Sequence, residues 1–222
     1  MGLQLNANDA RQGDTVSNII RESGEYVATI TRAEKLLSKN DVEGVGLSIR
    51  TDDGASANYL DLYTVKPDGT KLRGYHLVQA LLCCARVKNA DEGRITFEKW
   101  DANERRLVPV QGEGYPSLMG KRIGVFLQQE LQTNQNNGET VERLNLIGLF
   151  EASTGLTATE ILDGKTKPER AEKYRQILAK TPVRDARKGG NGKPAPSKPT
   201  PNPGSQLSNG SSSHDFDDDI PF

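Results

Sequence analysis

The chain has 222 residues, 34% hydrophobic and 27% charged, and its 29 Lys and Arg against 30 Asp and Glu give a formal net charge of -1. Domains average roughly 100–200 residues, so this length predicts one domain with a tail. No run approaches the roughly 18 apolar residues of a membrane span, and the first residues lack a signal peptide's pattern, so we expect a cytoplasmic protein without a membrane partner. The adjacent Cys83 and Cys84 exclude a disulfide framework, and His76 and His214 do not supply the second cluster that a zinc site needs.

Six segments have the β-branched, aromatic or alternating composition of strands. Val45, Leu47 and Ile49 alternate with polar or small residues, which predicts one buried face and one outer face. The predicted strands are, in chain order, residues 24–31, 44–51, 58–66, 94–100, 121–131 and 140–150. Turn sequences rich in Pro, Asp, Asn and Gly follow the third strand and precede the last one.

Two segments have helical character. In residues 75–87, Leu77, Leu81 and Cys84 follow the i, i+4, i+7 spacing of one helix face, and we interpret the two adjacent cysteines as a packing pair. Residues 168–180 begin with a proline and acidic residues and end with a lysine, as helices prefer.

The element order predicts a mainly β fold. The order is β-β-β-α-β-β, with residues 94–100 in a charged insertion before the fourth strand and with helices appended. This order suits an OB-fold, a five-stranded and partly open Greek-key barrel, here with inserted and appended helices. We predict that this domain occupies residues 1–180.

The last 42 residues have a different composition. Only five of residues 181–222 belong to the Leu, Ile, Val and Phe set, too few for a packed core. Residues 181–213, rich in Gly, Pro and Ser, are predicted to be a disordered linker, and residues 214–222 form an acidic tip. Residues 165–188 carry nine basic and three acidic residues, whereas the tip carries four Asp. The net charge of -1 therefore results from basic and acidic segments that cancel.

The acidic tip is the most specific motif in the chain. Its residues are Asp215, Phe216, Asp217, Asp218, Asp219, Ile220, Pro221 and Phe222. This sequence resembles the C-terminal tip of bacterial single-stranded DNA-binding proteins, and residues 24–36 and 120–131 are similar to phage-encoded ones. The resemblance implies an OB-fold in a bacterial or phage-infected cell, sequence-independent binding of single-stranded DNA in replication, recombination and repair, and recruitment of partner enzymes by the tip.

The chemistry of the tip favours the same role. Ile220 and Phe222 offer an apolar knob beside a proline, and the aspartates supply charge for a pocket lined with Arg or Lys. An acidic tail can also serve solubility alone, but the two Phe and the Ile argue against that interpretation. As a tethered polyanion, the tip is expected to compete with DNA for the protein's own basic groove.

Single-strand binding needs aromatic faces for the bases and cations for the phosphates. If Leu60 and Leu62 face the core, then Tyr59 and Tyr63 face outward. The stacking candidates are Tyr59, Tyr63, Trp100 and Phe126. The cation candidates are Arg50, Lys66, Lys71, Arg73, Lys99, Arg105, Arg106, Lys121 and Arg122. Any one of these aromatic residues is about as well explained by core packing, and any one cation by a solvated surface.

No catalytic motif is present, so we expect no enzymatic activity, no catalytic residue, no metal and no cofactor. The sequence lacks a P-loop, a nucleophile elbow and a zinc-protease motif. Two alternatives stay open: an adaptor that displays the tip to divert host enzymes without binding DNA, and a recombination mediator or annealing protein. The oligomeric state, including a homo-oligomer, is open as well.

Overall fold

A computed structural model describes residues 18–101, 103–104, 106–134 and 137–187. The predicted tip and most of the predicted linker lie outside these residues. The strands are β1 (Gly24–Leu37), β2 (Glu43–Thr51), β3 (Ser56–Val65), β4 (Gly93–Asp101), β5 (Arg106–Gly114), β6 (Arg122–Thr133), β7 (Thr140–Phe150) and β8 (Val183–Asp185). The helices are α1 (Arg73–Cys84), α2 (Ala158–Leu162) and α3 (Arg170–Lys180), and Pro116–Leu118 form a 3₁₀ turn.

The prediction of a mainly β fold is confirmed, and each predicted strand and helix is present. The charged insertion is a long antiparallel hairpin, β4 and β5, of which the sequence indicated only the first strand. Strand β1 runs six residues further than predicted, to Leu37. A bulge between Ile30 and Arg32 reverses the alternation there, so the pattern breaks although the strand continues.

Strand β1 organises the sheet because it pairs along both edges. Residues 28–37 pair with β2, residues 24–29 pair with β6, and Glu34 pairs with Gly114 of β5. The sheet order is β3-β2-β1-β5-β4, with β6 on the first part of β1 and β7 on β6. The pairs are antiparallel except that of β8 with β6. The sheet therefore extends past residue 180, where the folded domain was predicted to end.

The main core lies between the strands and α1. Val45, Leu47 and Ile49 of β2 are buried there, as the alternation predicted, and α1 contributes Leu81 and Cys84. Burial raises the pKa of the Cys84 thiol to about 12, which fits a packing role.

A second cluster fills the space between β6, β7 and α3. Its buried residues are Phe126, Ile147, Phe150, Ala171 and Leu178. Helix α3 therefore covers the side of β6 and β7 that faces away from the main core. Within the described residues, no helix has both the length and the apolarity needed to cross a membrane.

Candidate nucleic-acid interface

The side of β1, β2 and β3 that faces away from the main core, here called the outer face, brings together charged, small and aromatic residues. Its members are Arg32, Glu34, Gly44, Gly46, Ser48, Arg50, Tyr59 and Tyr63. The alternation of the strands produces this face, because Leu60 and Leu62 are buried and leave the tyrosines outside. Tyr59 is 52% exposed and Tyr63 41%, as predicted.

Two β-bulges flank Ser48 and direct side chains to the outer face. In β1, Thr31 is the extra residue between the pairs Ile30↔Ile49 and Arg32↔Ser48. In β3, the extra residue lies between Ala57 and Leu60, and Tyr59 adopts a left-handed φ of 60°. Counted from the buried Ile30, strict alternation would point Arg32 into the core, and the bulge in β1 turns it outward. The bulge in β3 lets Ala57 be buried on the same side as Leu60 and Leu62, with Tyr59 outside.

Glycines on β2 leave room for these larger neighbours. A Cβ atom at Gly46 would lie 2.8 Å from Nη2 of Arg32, and one at Gly44 would lie 3.2 Å from Cδ1 of Tyr63. The guanidinium and the ring therefore lie close against the β2 backbone.

Arg32 links the outer face to the hairpin. Its Nε donates to Oε2 of Glu34 at 2.7 Å, and Nη2 contacts the same carboxylate. The guanidinium carbon lies 5.3 Å from the ring centroid of Tyr59 and 5.5 Å from that of Phe97 on β4. Both distances are within the range of a cation–π contact. Only 7% of Arg32 is exposed.

The β4–β5 hairpin lies along one side of the outer face. Nη2 of Arg50 donates to Oε2 of Glu98 at 2.8 Å, which joins β2 to β4. Trp100 lies two residues beyond Glu98, so the two side chains project from the same side of β4. Trp100 is 54% exposed and pairs across the hairpin with the exposed Leu107.

A cleft of about 300 Å³ separates the outer face from the hairpin. Arg32, Ser48 and Asn58 contribute hydrogen-bonding groups, and Phe97 and Leu107 contribute apolar surface. The cleft lies where the two bulges and the hairpin meet. This combination of a few polar groups with apolar walls is typical of ligand sites.

Three predicted cations lie beyond the end of β3. Lys66 begins a turn that is closed by the N–H of Gly69, which donates to the Lys66 carbonyl at 2.9 Å. Nζ of Lys71 lies 4.4 Å from the ring centroid of Tyr75. Nη2 of Arg73 donates to the Ile147 carbonyl on β7 at 3.4 Å, so this side chain links the start of α1 to β7.

The other cations lie at the opposite end of β3 and on the hairpin. Lys121 and Arg122 are exposed at the start of β6, and Nη2 of Arg122 donates to Oδ2 of Asp52 at 2.7 Å. Lys99 is exposed on the side of β4 opposite Trp100. Nε of Arg106 donates to Glu104 at 2.6 Å. Arg105 lies outside the described residues.

The prediction that Phe126 stacks on bases needs correction, because Phe126 is fully buried. Its side chain points away from the main core, but α3 covers it. The rings of Phe126 and Tyr174 stack at 4.7 Å with an interplanar angle of 12°, and Phe150 packs at 5.0 Å. The alternation of β6 correctly predicted that Phe126 points away from the main core. It could not show that a helix covers that side of the strand.

Sequence reasoning missed Arg32 and Phe97. Arg32 follows the bulge in β1, where the alternation of the sequence changes phase. Phe97 lay in the segment predicted only as a short strand within a charged insertion. The small residues on β2's polar side were the available signal, since glycines in a strand mark a close approach of neighbouring groups.

Carboxylates reduce the positive charge of the outer face. Asp61 lies on β3 between the two tyrosines, and its partial removal from water raises the pKa of its carboxyl, while Arg32 and Arg143 act in the opposite direction. Each of Arg32, Arg50 and Arg122 is paired with a carboxylate. The pairs of Arg50 and Arg122 are exposed, so they are weak and open to competition by other anions.

Within the described ranges, no group of three or more His, Cys, Asp and Glu is placed to hold a metal ion. No protein-family model matches the chain, and no curated protein matches it.

Proposed function

We propose that this protein binds single-stranded DNA, without a recognition sequence, on the outer face and along the β4–β5 hairpin. One observation carries the proposal. Among the described residues, the exposed Trp, Tyr and Phe side chains are Tyr59, Tyr63 and Trp100. The two tyrosines lie on the outer face, and Trp100 lies on the hairpin, paired with Leu107, which lines the cleft beside that face. Exposed aromatic rings are costly to leave in water, and base stacking is the use that fits rings placed beside arginines.

We propose that the fold is of the OB type. Strands β1, β2 and β3 follow one another as antiparallel neighbours, and β6 returns by a long connection to lie beside β1. The resulting order β6-β1-β2-β3 is that of a Greek key. In OB-folds the face of strands 2 and 3 binds oligonucleotides, and here that face carries Tyr59 and Tyr63.

The proposed path of the DNA follows β3. Tyr59 and Tyr63 are four residues apart, about 13 Å along a strand, so each can stack a different base. Arg50, Lys121 and Arg122 lie toward one end of this path, and Lys66 and Lys71 lie toward the other. Phosphates would compete for arginines whose present partners, Glu98 and Asp52, are on the surface.

We further propose a non-enzymatic role in replication, recombination and repair, with the acidic tip as the contact for partner enzymes. The support is the tip's composition and its resemblance to the tips of bacterial single-stranded DNA-binding proteins. The tip lies outside the described residues, so its proposed contacts rest on sequence.

The direct test is a titration of the full chain with oligo-dT, followed by the fluorescence of Trp100, the chain's single tryptophan. We expect quenching, and an affinity that falls linearly with salt on a logarithmic scale. Each cation removed from the path should reduce that slope by about 0.7. The variant Lys121→Ala/Arg122→Ala tests this, with Lys88→Ala as a control on an exposed cation after α1.

Other outcomes would support the alternatives. A flat titration at low salt contradicts the proposal and favours the adaptor. Binding accompanied by rapid pairing of complementary strands would identify an annealing protein instead.

A further inference from the structure

Arg32, a residue that lines the cleft between the outer face and the hairpin, has an unused hydrogen-bond donor. Two of its nitrogens bind Glu34. Its third nitrogen, Nη1, is buried and has no hydrogen-bond partner among the described residues. Because an unpaired buried donor costs roughly 1–3 kcal/mol, this nitrogen calls for an acceptor that a ligand could supply.

The charges around the cleft favour a neutral ligand. Arg32 is neutralised by Glu34, and Arg50 by Glu98, which itself lines the cleft. A phosphate in the cleft would meet the Glu98 carboxylate. The buried Arg32 is already paired with Glu34, so a phosphate there could gain a cation only by displacing Glu98 from the exposed Arg50. The apolar surface of Phe97, Leu107 and Pro109 suits a flat heterocycle instead.

We propose that this cleft takes one base of the bound strand and that a carbonyl oxygen of that base accepts a hydrogen bond from Nη1 of Arg32. The proposal rests on the proposed function and adds a base preference to it. The volume of about 300 Å³ is at the lower limit for ligand sites and suits one base rather than several. Ser48 and Asn58 supply further groups that can pair with the edge of the base.

The chemistry of the donor decides which bases fit. Guanine, thymine and cytosine carry a carbonyl oxygen on the edge used for pairing, and a guanidinium is a donor only. Adenine has an amino group at the position where guanine has its carbonyl, so it would place a donor against a donor. The strand is therefore bound without a recognition sequence, but adenine is disfavoured in one position.

The test compares two oligomers that differ at this group and at the neighbouring ring nitrogen, which is an acceptor in adenine and carries a proton in hypoxanthine. One is oligo-dA, and in the other every third adenine is replaced by hypoxanthine, which has a carbonyl in place of the amino group. With the full chain, we expect the second oligomer to bind about fivefold more tightly, the order of magnitude for one hydrogen bond to a base edge. Trp100 fluorescence gives both affinities.

Two variants connect this preference to Arg32. Arg32→Met/Glu34→Gln removes the donor without leaving a charged Glu34 unpaired, and Arg32→Lys keeps the charge but loses the planar donor group. We expect the ratio of the two affinities to fall to about one in both variants. The control Arg86→Gln/Glu151→Gln removes another bidentate arginine–glutamate pair, outside the outer face, and should keep the wild-type ratio.

The outcomes separate the two proposals. If the wild-type protein binds both oligomers equally, the base preference is wrong and the proposed function stands, whatever the variants do. If folded Arg32 variants keep the wild-type ratio, Arg32 is not the donor and the proposal is also wrong. If the wild-type protein binds neither oligomer nor oligo-dT, the proposed function fails and this inference with it.

Discussion

Tyr59 and Tyr63 are held on the outer face by neighbours that do not cover them. Leu60 and Leu62 point into the core, and Gly44 leaves space beside the Tyr63 ring. Tyr59 contacts the Arg32 guanidinium and remains half exposed. Such rings contribute little to stability, so their substitution should affect binding more than folding.

Substituting either tyrosine by alanine should weaken binding of single-stranded DNA. Stacking is worth roughly 1–3 kcal/mol per base, so we expect an affinity lower by about five- to 150-fold for Tyr59→Ala and for Tyr63→Ala. Affinity is measured by titration with oligo-dT, and thermal unfolding checks the fold. Tyr59→Phe should bind normally because the ring remains, and Leu162→Ala removes a more exposed apolar side chain from α2 as a control. Wild-type affinity in both alanine variants would rule out stacking on β3.

Phe126, unlike Tyr59 and Tyr63, is buried, because its ring lies entirely within the second cluster. Phe126→Leu removes two aromatic pairs worth roughly 0.5–1.5 kcal/mol each, so we expect the free energy of unfolding to fall by about 1–3 kcal/mol. Urea unfolding measures this loss. DNA affinity of the folded variant should stay at the wild-type value, and a loss of affinity without a loss of stability would restore Phe126 to the binding site.

Two elements lie outside the main core, the β4–β5 hairpin and helix α3. The β4–β5 hairpin is joined to the sheet by the Glu34↔Gly114 pair and by the Arg50–Glu98 ion pair. Helix α3 is held against β6 and β7 by the second cluster. Its start is fixed by Glu160, a fully buried carboxylate.

Glu160 links α2 to α3. The carboxylate accepts hydrogen bonds from the N–H and hydroxyl of Thr157, both at 2.8 Å, and from the N–H of Arg170 at 2.7 Å. Burial acts to raise the pKa of Glu160, but these hydrogen bonds outweigh it and the pKa is lowered. The folded protein therefore stabilises the ionised form of Glu160.

Glu160→Gln should lower the free energy of unfolding at neutral pH by roughly 1–3 kcal/mol, because a buried acceptor is lost. Since the folded pKa lies below the unfolded value of about 4.3, this stabilisation is present above that pH and disappears as the pH falls through the folded pKa. Urea unfolding of both proteins at several pH values should show their stabilities converging in acid. The exposed Glu169→Gln is the control, and a difference that persists at the lowest pH would contradict the assignment.

Over the whole molecule, the net charge of -1 results from basic and acidic segments that cancel. The described residues carry the exposed cations at both ends of β3, and the acidic tip carries four aspartates in nine residues. If the tip competes with DNA for the outer face, DNA binding and partner recruitment become coupled. DNA that occupies the outer face would then release the tip for partner enzymes.

Deletion of residues 215–222 should raise the affinity for oligo-dT and abolish capture of replication or repair enzymes. The increase should shrink at high salt, because salt screens the competition. Replacing the four aspartates by asparagine keeps the segment and removes its charge, so it should raise affinity as the deletion does. Titrations at two salt concentrations measure this, and equal affinities of intact and truncated protein at low salt would refute the competition.

Much of the fold was predictable from residues close in sequence. The alternation in β2 and β3 identified their buried leucines and placed Tyr59 and Tyr63 outside, because a strand has only two faces and the apolar one must be buried. The composition of residues 181–222 set them apart from the rest of the chain for a related reason, since few of their residues can contribute to a core.

Only the tertiary structure decided what covers each face. Phe126 and Tyr174 are 48 positions apart in the chain, yet their contact removes Phe126 from the surface. Arg32, Tyr59 and Phe97 come from three strands. The bulges that bring them together shift the two-residue alternation from which buried and exposed faces are predicted. Alternation within a strand reports which side of the sheet a residue occupies, whereas coverage depends on packing between segments far apart in the chain.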